Sequence, residues 1–258
     1  MVSSSTVSAI IPARDEAASI GQIVIGLLAL TTPGGAPLIH EVVVADNGSS
    51  DGTGEIAHQA GARVVDVPRP GYGQACWEAV RASGGDILLF VDGDGAADPA
   101  DAAGLLAAIR SGAELVIGLR RDPDAGSMSL PQRFGNALAC FLMRAIWRMK
   151  AGDLGPYRAI RRAAFDALDM RDRGFGWTVE MQVRAHVLGL RVRQKPVQWH
   201  ARGAGKSKIS GTTRGVVGAG FGILGMIFRL WWRERHRLPV SISHLHPESA
   251  PAVTTARR

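Results

Sequence analysis

Three short stretches place polar residues directly after apolar runs: Ile11-Pro-Ala-Arg-Asp-Glu16, Asp46-Asn-Gly-Ser-Ser-Asp-Gly-Thr53 and Asp92-Gly-Asp-Gly95. The last holds the most chemistry. Asp92 and Asp94, two residues apart after a buried strand, can chelate one hard divalent cation. Mg2+ or Mn2+ fits, because each keeps waters and shares diphosphate oxygens. Gly93 and Gly95 let the backbone approach a phosphate closely. Asp46 stands at a strand end, where a carboxylate accepts hydrogen bonds from a base or ribose or holds a cation. Asp51 has a structural reading: with Ser50 it caps the next helix, and Gly52 eases the turn.

The second half offers cations. Arg120, Arg121, Arg133, Arg158 and Arg202 follow the acidic stretches. A guanidinium binds phosphate through two parallel hydrogen bonds, although any single arginine also reads as solvated surface. In Arg202-Gly-Ala-Gly-Lys-Ser-Lys208, the glycines present the Ser207 hydroxyl and Lys208 beside Arg202. Glu180 falls in GWTVEMQVRAHVLG, read as a helix over 178–188. It is either half of an i,i+4 pair with Arg184 or a general base for a hydroxyl acceptor, a role Asp153 also suits. A phosphate acceptor needs no base, because its second pKa is about 6. His186 and His200 read as helix face and strand end.

These residues need a frame. Apolar runs predict strands over 7–11, 41–45, 63–67, 86–91 and 113–118. Helical periodicity predicts helices over 17–30, 54–61, 71–83 and 98–110. The strands are continuous apolar runs, so the fold class is α/β: a doubly wound, mostly parallel sheet with helices on both faces. Ligands of such sheets bind beyond the carboxyl ends of the strands, so the three polar stretches meet at one rim. The domain reading is a catalytic unit over 1–213, an amphipathic or membrane-associated helix over 214–238 and a disordered tail over 239–258. A spanning helix needs about 20 apolar residues. Residues 215–232 are interrupted by Arg229, and Trp231 and Trp232 suit a membrane interface. Surface attachment or shallow insertion is therefore expected, with a core helix as the alternative.

A chain of 258 residues that is 46% hydrophobic and 21% charged is globular. Its formal charge of +7 calls for acidic partners. No basic stripe is interleaved with aromatics, which argues against nucleic acid. Cys76 and Cys140 read as reduced core thiols without metal-ligand spacing. The amino-terminal stretch lacks a signal-peptide pattern.

Over residues 7–213 the chain resembles family 2 glycosyltransferases of the GT-A fold, and among them the polyprenyl-phosphate (dolichyl-phosphate) sugar synthases. The three polar stretches, Gly71-Tyr-Gly73, Asp153-Leu-Gly-Pro-Tyr-Arg158 and the Arg202–Lys208 loop carry the resemblance. It implies that Pro12, Glu16 and Asp46 line the nucleotide base and ribose, and that Asp92 and Asp94 reach ribose and metal. It implies an acid at Glu180 near the acceptor or donor sugar, and an acceptor phosphate contacted by the Arg202 loop. Three positions depart from the usual pattern: Asp15 for asparagine, Asn47 for aspartate and Ala96 for a metal-contacting glutamine. The implied activity is metal-dependent, inverting hexose transfer from a nucleoside diphosphate sugar to a polyprenyl phosphate. The implied place is the cytosolic membrane face. Two alternatives stay open: a hydroxyl acceptor on the same fold, or a nucleotide-sugar-binding protein without catalysis.

Overall fold

The computed structural model describes residues 5–120, 127–201 and 213–234, with side chains omitted for 213–219 and 234. The apolar runs form one seven-stranded sheet in the order β3-β2-β1-β4-β6-β5-β7. Its strands are β1 (Val7–Ala13), β2 (Glu41–Asp46), β3 (Arg63–Asp66), β4 (Ile87–Phe90), β5 (Leu115–Arg120), β6 (Arg158–Arg161) and β7 (Val192–Val197). Six strands run parallel, and β6 lies antiparallel between β4 and β5. The chain winds outward from β1 through β2 to β3, then returns to β4 on the other side of β1. That reversal opens a crevice at the carboxyl ends of β1 and β4, where sheets of this kind bind ligands.

Alternation along each strand supplies two cores. Ile11, Val44 and Leu89 face a cluster with α1 (Ile20–Leu28) and α4 (Ala102–Arg110). Ile10, Val43 and Leu88 face the opposite cluster, with α3 (Tyr72–Ala82), α6 (Arg162–Leu168) and α7 (Trp177–Val187). Both faces are covered, as the continuous apolar runs require. The short α2 (Thr53–Gln59) follows β2, and a single 3-10 turn at Pro99–Asp101 precedes α4.

Elements without a range in the sequence reading include β6 and α5, along with α6 and β7. β6 is four residues with an arginine at each end, so no apolar run announces it. α5 (Leu130–Trp147) spans 18 residues and starts at a capping box formed by Ser129 and Gln132. α8 (Thr213–Glu234) packs back on the domain: Met226, Ile227 and Leu230 meet Ala139, Cys140 and Met143 of α5 and Val179 and Val183 of α7. Among the described residues, no helix is long and apolar enough to cross a membrane. Both cysteines are free and buried. Burial, with the charge of Asp153, pushes the Cys140 thiol up to about 11.

Candidate active site

The first two polar stretches are knitted together. The Asp15 amide donates to Ser49 Oγ (2.9 Å), and Asp15 Oδ1 accepts from the Ser50 amide (2.7 Å). The Glu16 amide donates to Thr53 Oγ1 (2.7 Å), and the Ala17 amide donates to Asp51 Oδ2 (3.1 Å). The N-cap of α2 is Gly52, not Asp51 or Ser50: Ser50 turns to Asp15, and Asp51 accepts from the Thr53 amide (3.1 Å) while it ties one loop to the other. Burial works to raise its pKa, but bonds from the Thr53 hydroxyl and from Ala17 and Thr53 amides outweigh it and hold the carboxyl below its ordinary value. Asp46 is half-buried at the end of β2 and accepts from the Ser49 amide (2.9 Å). A Cβ at Gly54 would sit 2.7 Å from Asp46 Oδ2, so only glycine leaves that carboxylate in place. Asn47 Oδ1 accepts from the Gly71 amide (3.3 Å), joining this rim to α3. Pro12 and Glu16 are half-buried on the same rim.

The third stretch lies across the crevice. Ser19 Oγ donates to the Gly93 carbonyl (2.7 Å), clamping the loop to the start of α1. Beside this clamp is a cavity of about 340 Å³, lined by Ser19, Gln22, Gly95 and Ala97 among others. Asp94 is 4% exposed and accepts from the Ala96 amide (3.0 Å). Asp92 is half-buried and accepts from the Tyr72 hydroxyl (3.1 Å). Burial and then the Asp92 charge push the Tyr72 pKa well up, so Tyr72 stays a donor. The segment after β7 returns here too: Ala97 bridges Trp199, and the His200 amide donates to the Ala96 carbonyl (2.8 Å). Two carboxylates on one tight loop fit a hard cation's preference for oxygen. Among the described residues no three His, Cys, Asp or Glu gather as a complete protein cage. The remaining ligands of such a cation would be diphosphate oxygens and water.

Glu180 is not placed to be a base. It is 1% exposed on α7. Its Oε2 accepts from the amides of Arg171 (3.0 Å) and Asp172 (2.7 Å), and Oε1 lies 3.6 Å from Arg184. The pairing with Arg184 holds, and it anchors a loop. That loop closes on α3: the Gly73 and Gln74 amides donate to the Gly174 and Arg173 carbonyls. The motif Gly71-Tyr-Gly73 now has a reason. A Cβ at Gly71 would overlap the Arg173 carbonyl oxygen, and one at Gly73 would fall 2.8 Å from that of Asp172. The Arg173 guanidinium stacks 4.3 Å from the Trp77 ring centre and braces the same contact. The sequence missed Tyr72 as a site residue; its flanking glycines are the signal that marks it.

The arginines divide. Arg158 does not offer its guanidinium to a ligand. It is fully buried, and its guanidinium donates to the carbonyls of Leu154, Gly155 and Thr178 and to Met181 Sδ. Burial lowers its pKa, while Tyr72, Asp153 and Asp92 oppose that effect, so it is a fixed cation behind the site. Arg120, at the end of β5, forms a two-pronged pair with Asp153 (Nε–Oδ2 2.8 Å, Nη2–Oδ1 2.5 Å) and stacks 5.3 Å from the Trp199 ring centre. Asp153, expected as an alternative base, is thereby committed to an ion pair. Arg133 is exposed on the first turn of α5. Arg121, Arg202, Ser207 and Lys208 lie outside the described residues.

Comparison with known proteins agrees with this geometry. The profile of glycosyl transferase family 2 matches residues 8–169. An uncharacterized glycosyltransferase of Mycobacterium tuberculosis is 37% identical over 181 residues, covering 70% of this chain and 83% of the relative. The undecaprenyl-phosphate mannosyltransferase of Micrococcus luteus is 32% identical over 193 residues, 69% of this chain and 78% of that one. Glucosyl-3-phosphoglycerate synthase of Mycobacterium tuberculosis, solved with Mn2+, UDP and glucosyl-3-phosphoglycerate, shares the fold. Its TM-score is 0.67 at 24% identity, over 92% of this chain and 82% of that one. A parallel sheet with its crevice at β1 and β4, an Asp-Gly-Asp loop at that crevice and the family match lead to one assignment. The chain belongs to glycosyl transferase family 2 and is a glycosyltransferase of the GT-A fold.

Proposed function

We propose that the chain moves a hexose, with inversion, from a nucleoside diphosphate sugar to the phosphate of a polyprenyl phosphate at the cytosolic membrane face. One observation carries the choice of acceptor. The two acids that the sequence offers as a base, Glu180 and Asp153, are both buried and held by arginines and amides. A hydroxyl acceptor needs a proton removed; a phosphate monoester arrives already anionic. The lipid acceptor named for the Micrococcus luteus relative supports the same reading.

In this reading Pro12, Glu16 and Asp46 line the base and ribose, and Asp92 and Asp94 would hold Mg2+ or Mn2+. Such a cation would supply positive charge where the leaving group becomes more negative. A lipid phosphate oxygen attacks the anomeric carbon in line as the bond to the diphosphate breaks, and the electron pair leaves with the nucleoside diphosphate. Arg133, Arg202, Ser207 and Lys208 bind the acceptor phosphate, and Arg120, paired with Asp153, adds fixed positive charge nearby. Residues 1–213 form the catalytic unit and residues 214–238 the membrane-associated helix.

The test is a transfer assay with purified protein, a detergent-dispersed polyprenyl phosphate and UDP-, GDP- and dTDP-hexoses. Labelled sugar is expected in the organic phase with stoichiometric release of nucleoside diphosphate from one donor. Release of nucleoside diphosphate without any lipid-linked sugar would overturn the acceptor assignment. No release from any donor would argue for a non-catalytic nucleotide-sugar binder.

A further inference from the structure

The edge of the sheet is open on one face. Val197 of β7 joins the core shared with α4, so Val192 and Gln194 face the other side, in register with Leu115 and Ile117 of β5. On that side α7 packs over β5 and β6, but β7 is the edge strand and Val192 stays 36% exposed. Between this floor, α7 and the residues just past α5 lies a cavity of about 590 Å³. Small-molecule sites span roughly 300–1,000 Å³. The cavity shares no lining residue with the crevice at β1 and β4.

Its mouth is cationic: Arg148 and Lys150 line it and are exposed, and no acid lines it. Arg148 follows α5 in the left-handed region, with φ 55°, where glycine is the usual residue. A guanidinium thus stands where the backbone favours glycine. The next residues are held against β7: Gln194 Nε2 donates to the Lys150 carbonyl, and a Cβ at Gly152 would fall 2.5 Å from Gln194 Oε1. On the α7 wall, His186 Nε2 lies 2.9 Å from the Trp147 carbonyl. A carbonyl only accepts, so that nitrogen carries the proton. Gln182, also on this wall, is 1% exposed. Its Nε2 donates to the Asp153 carbonyl (2.9 Å), whereas its Oε1 has no hydrogen-bond partner among the described residues. A buried acceptor left unpaired costs free energy.

We propose that this cavity is a second ligand site, for a small phosphorylated polyol such as a sugar monophosphate. Arg148 and Lys150 take the phosphate, one through paired donors and the other as a point charge. A hydroxyl of the polyol donates to Gln182 Oε1, and the apolar floor at Ile117 and Val192 meets its carbon skeleton. A bare anion would leave Gln182 unsatisfied, and a neutral sugar would leave both cations unmatched. The site stands one residue from the rim, because Gln182 holds the Asp153 backbone and the Asp153 carboxylate holds Arg120. It does not depend on which acceptor the crevice serves.

The test is calorimetric titration of the full chain, without divalent cation, using glucose 1-phosphate, glucose 6-phosphate and ribose 5-phosphate. Inorganic phosphate and glucose are the controls. At least one sugar phosphate is expected to bind a single site about tenfold or more tightly than either control. Arg148→Gly should melt no lower than wild type, because glycine suits the left-handed position. Combined with Lys150→Ala, it should weaken the sugar phosphate at least about tenfold. Lys150→Glu alone, at an exposed position, carries the same expectation and decides the matter if the double variant fails to fold. Asp92→Asn, in the crevice, should leave this binding unchanged. Binding by no sugar phosphate, or equal affinity for inorganic phosphate, overturns the proposal. So does binding that Asp92→Asn abolishes and the cavity variants spare, because the sugar phosphate then sits in the crevice.

Discussion

Asp92 and Asp94 have different surroundings, and the difference shapes what their substitution should do. Asp94 is buried and bound to the Ala96 amide, an interaction that asparagine keeps through its remaining oxygen. Asp92 accepts from Tyr72, which asparagine also permits. Asp92→Asn and Asp94→Asn should therefore fold with unchanged melting temperature and lose transfer by at least about a hundredfold at saturating Mg2+ or Mn2+, because charge on the cation site is removed. Turnover near the wild-type rate in either variant would remove the carboxylates from the cation site. Glu180 should behave differently. Glu180→Gln leaves Arg184 facing a neutral group and weakens the anchor of 171–172, lowering stability by about 1–3 kcal/mol. Transfer should fall through a raised donor KM, because the loop braces Tyr72 and Tyr72 meets Asp92. A base would show the reverse: intact stability and a kcat lower by orders of magnitude. Asp51 provides a pH test. Its folded-state value lies below the ordinary 3.8, so its contribution to stability is present above that pH and fades as pH falls through the folded value. The melting gap between wild type and Asp51→Asn should hold from pH 7 to about 5 and close below about 4.

At the scale of elements, the site depends on backbone approaching backbone. Gly73→Ala would press a methyl onto the Asp172 carbonyl at 2.8 Å, forcing α3 away from the loop. The expected loss is about 1–3 kcal/mol, with weaker nucleotide binding by calorimetry; equal stability and affinity would show that the loop gives way freely. Elements buried on both sides were legible from their apolar runs, and β1, β2, β4 and β5 differ from expectation only at their ends. β6 was not, because its arginines bond carbonyls of neighbouring segments and so disguise a central strand as a polar one. α5 escaped because its exposed face is apolar, which blurs the periodicity that an amphipathic helix shows. The same physics hid the role of Glu180: sequence spacing gave its pairing with Arg184, whereas its hold on the Arg171 and Asp172 amides follows from a loop closure that spacing does not encode.

For the whole molecule, the gathering of Asp46, Asp92 and Asp94 at one crevice was readable because strand-end motifs and sheet topology together place them there. The fate of the second-half arginines was less so, because they are scattered along the chain and only the fold separates the buried Arg158 from the exposed Arg133. The account rests on a phosphate acceptor carried by a lipid, while the fold is shared with a synthase solved with glucosyl-3-phosphoglycerate. One competition decides between these chemistries. Purified protein receives a labelled nucleoside diphosphate hexose, the divalent cation, and equal concentrations of polyprenyl phosphate, polyprenol and 3-phosphoglycerate, and the label is partitioned between organic and aqueous phases. The account predicts label in the organic phase on polyprenyl phosphate alone, released by mild acid as expected of a glycosyl phosphate. Label in the aqueous phase on phosphoglycerate, or on polyprenol as readily as on its phosphate, would contradict it.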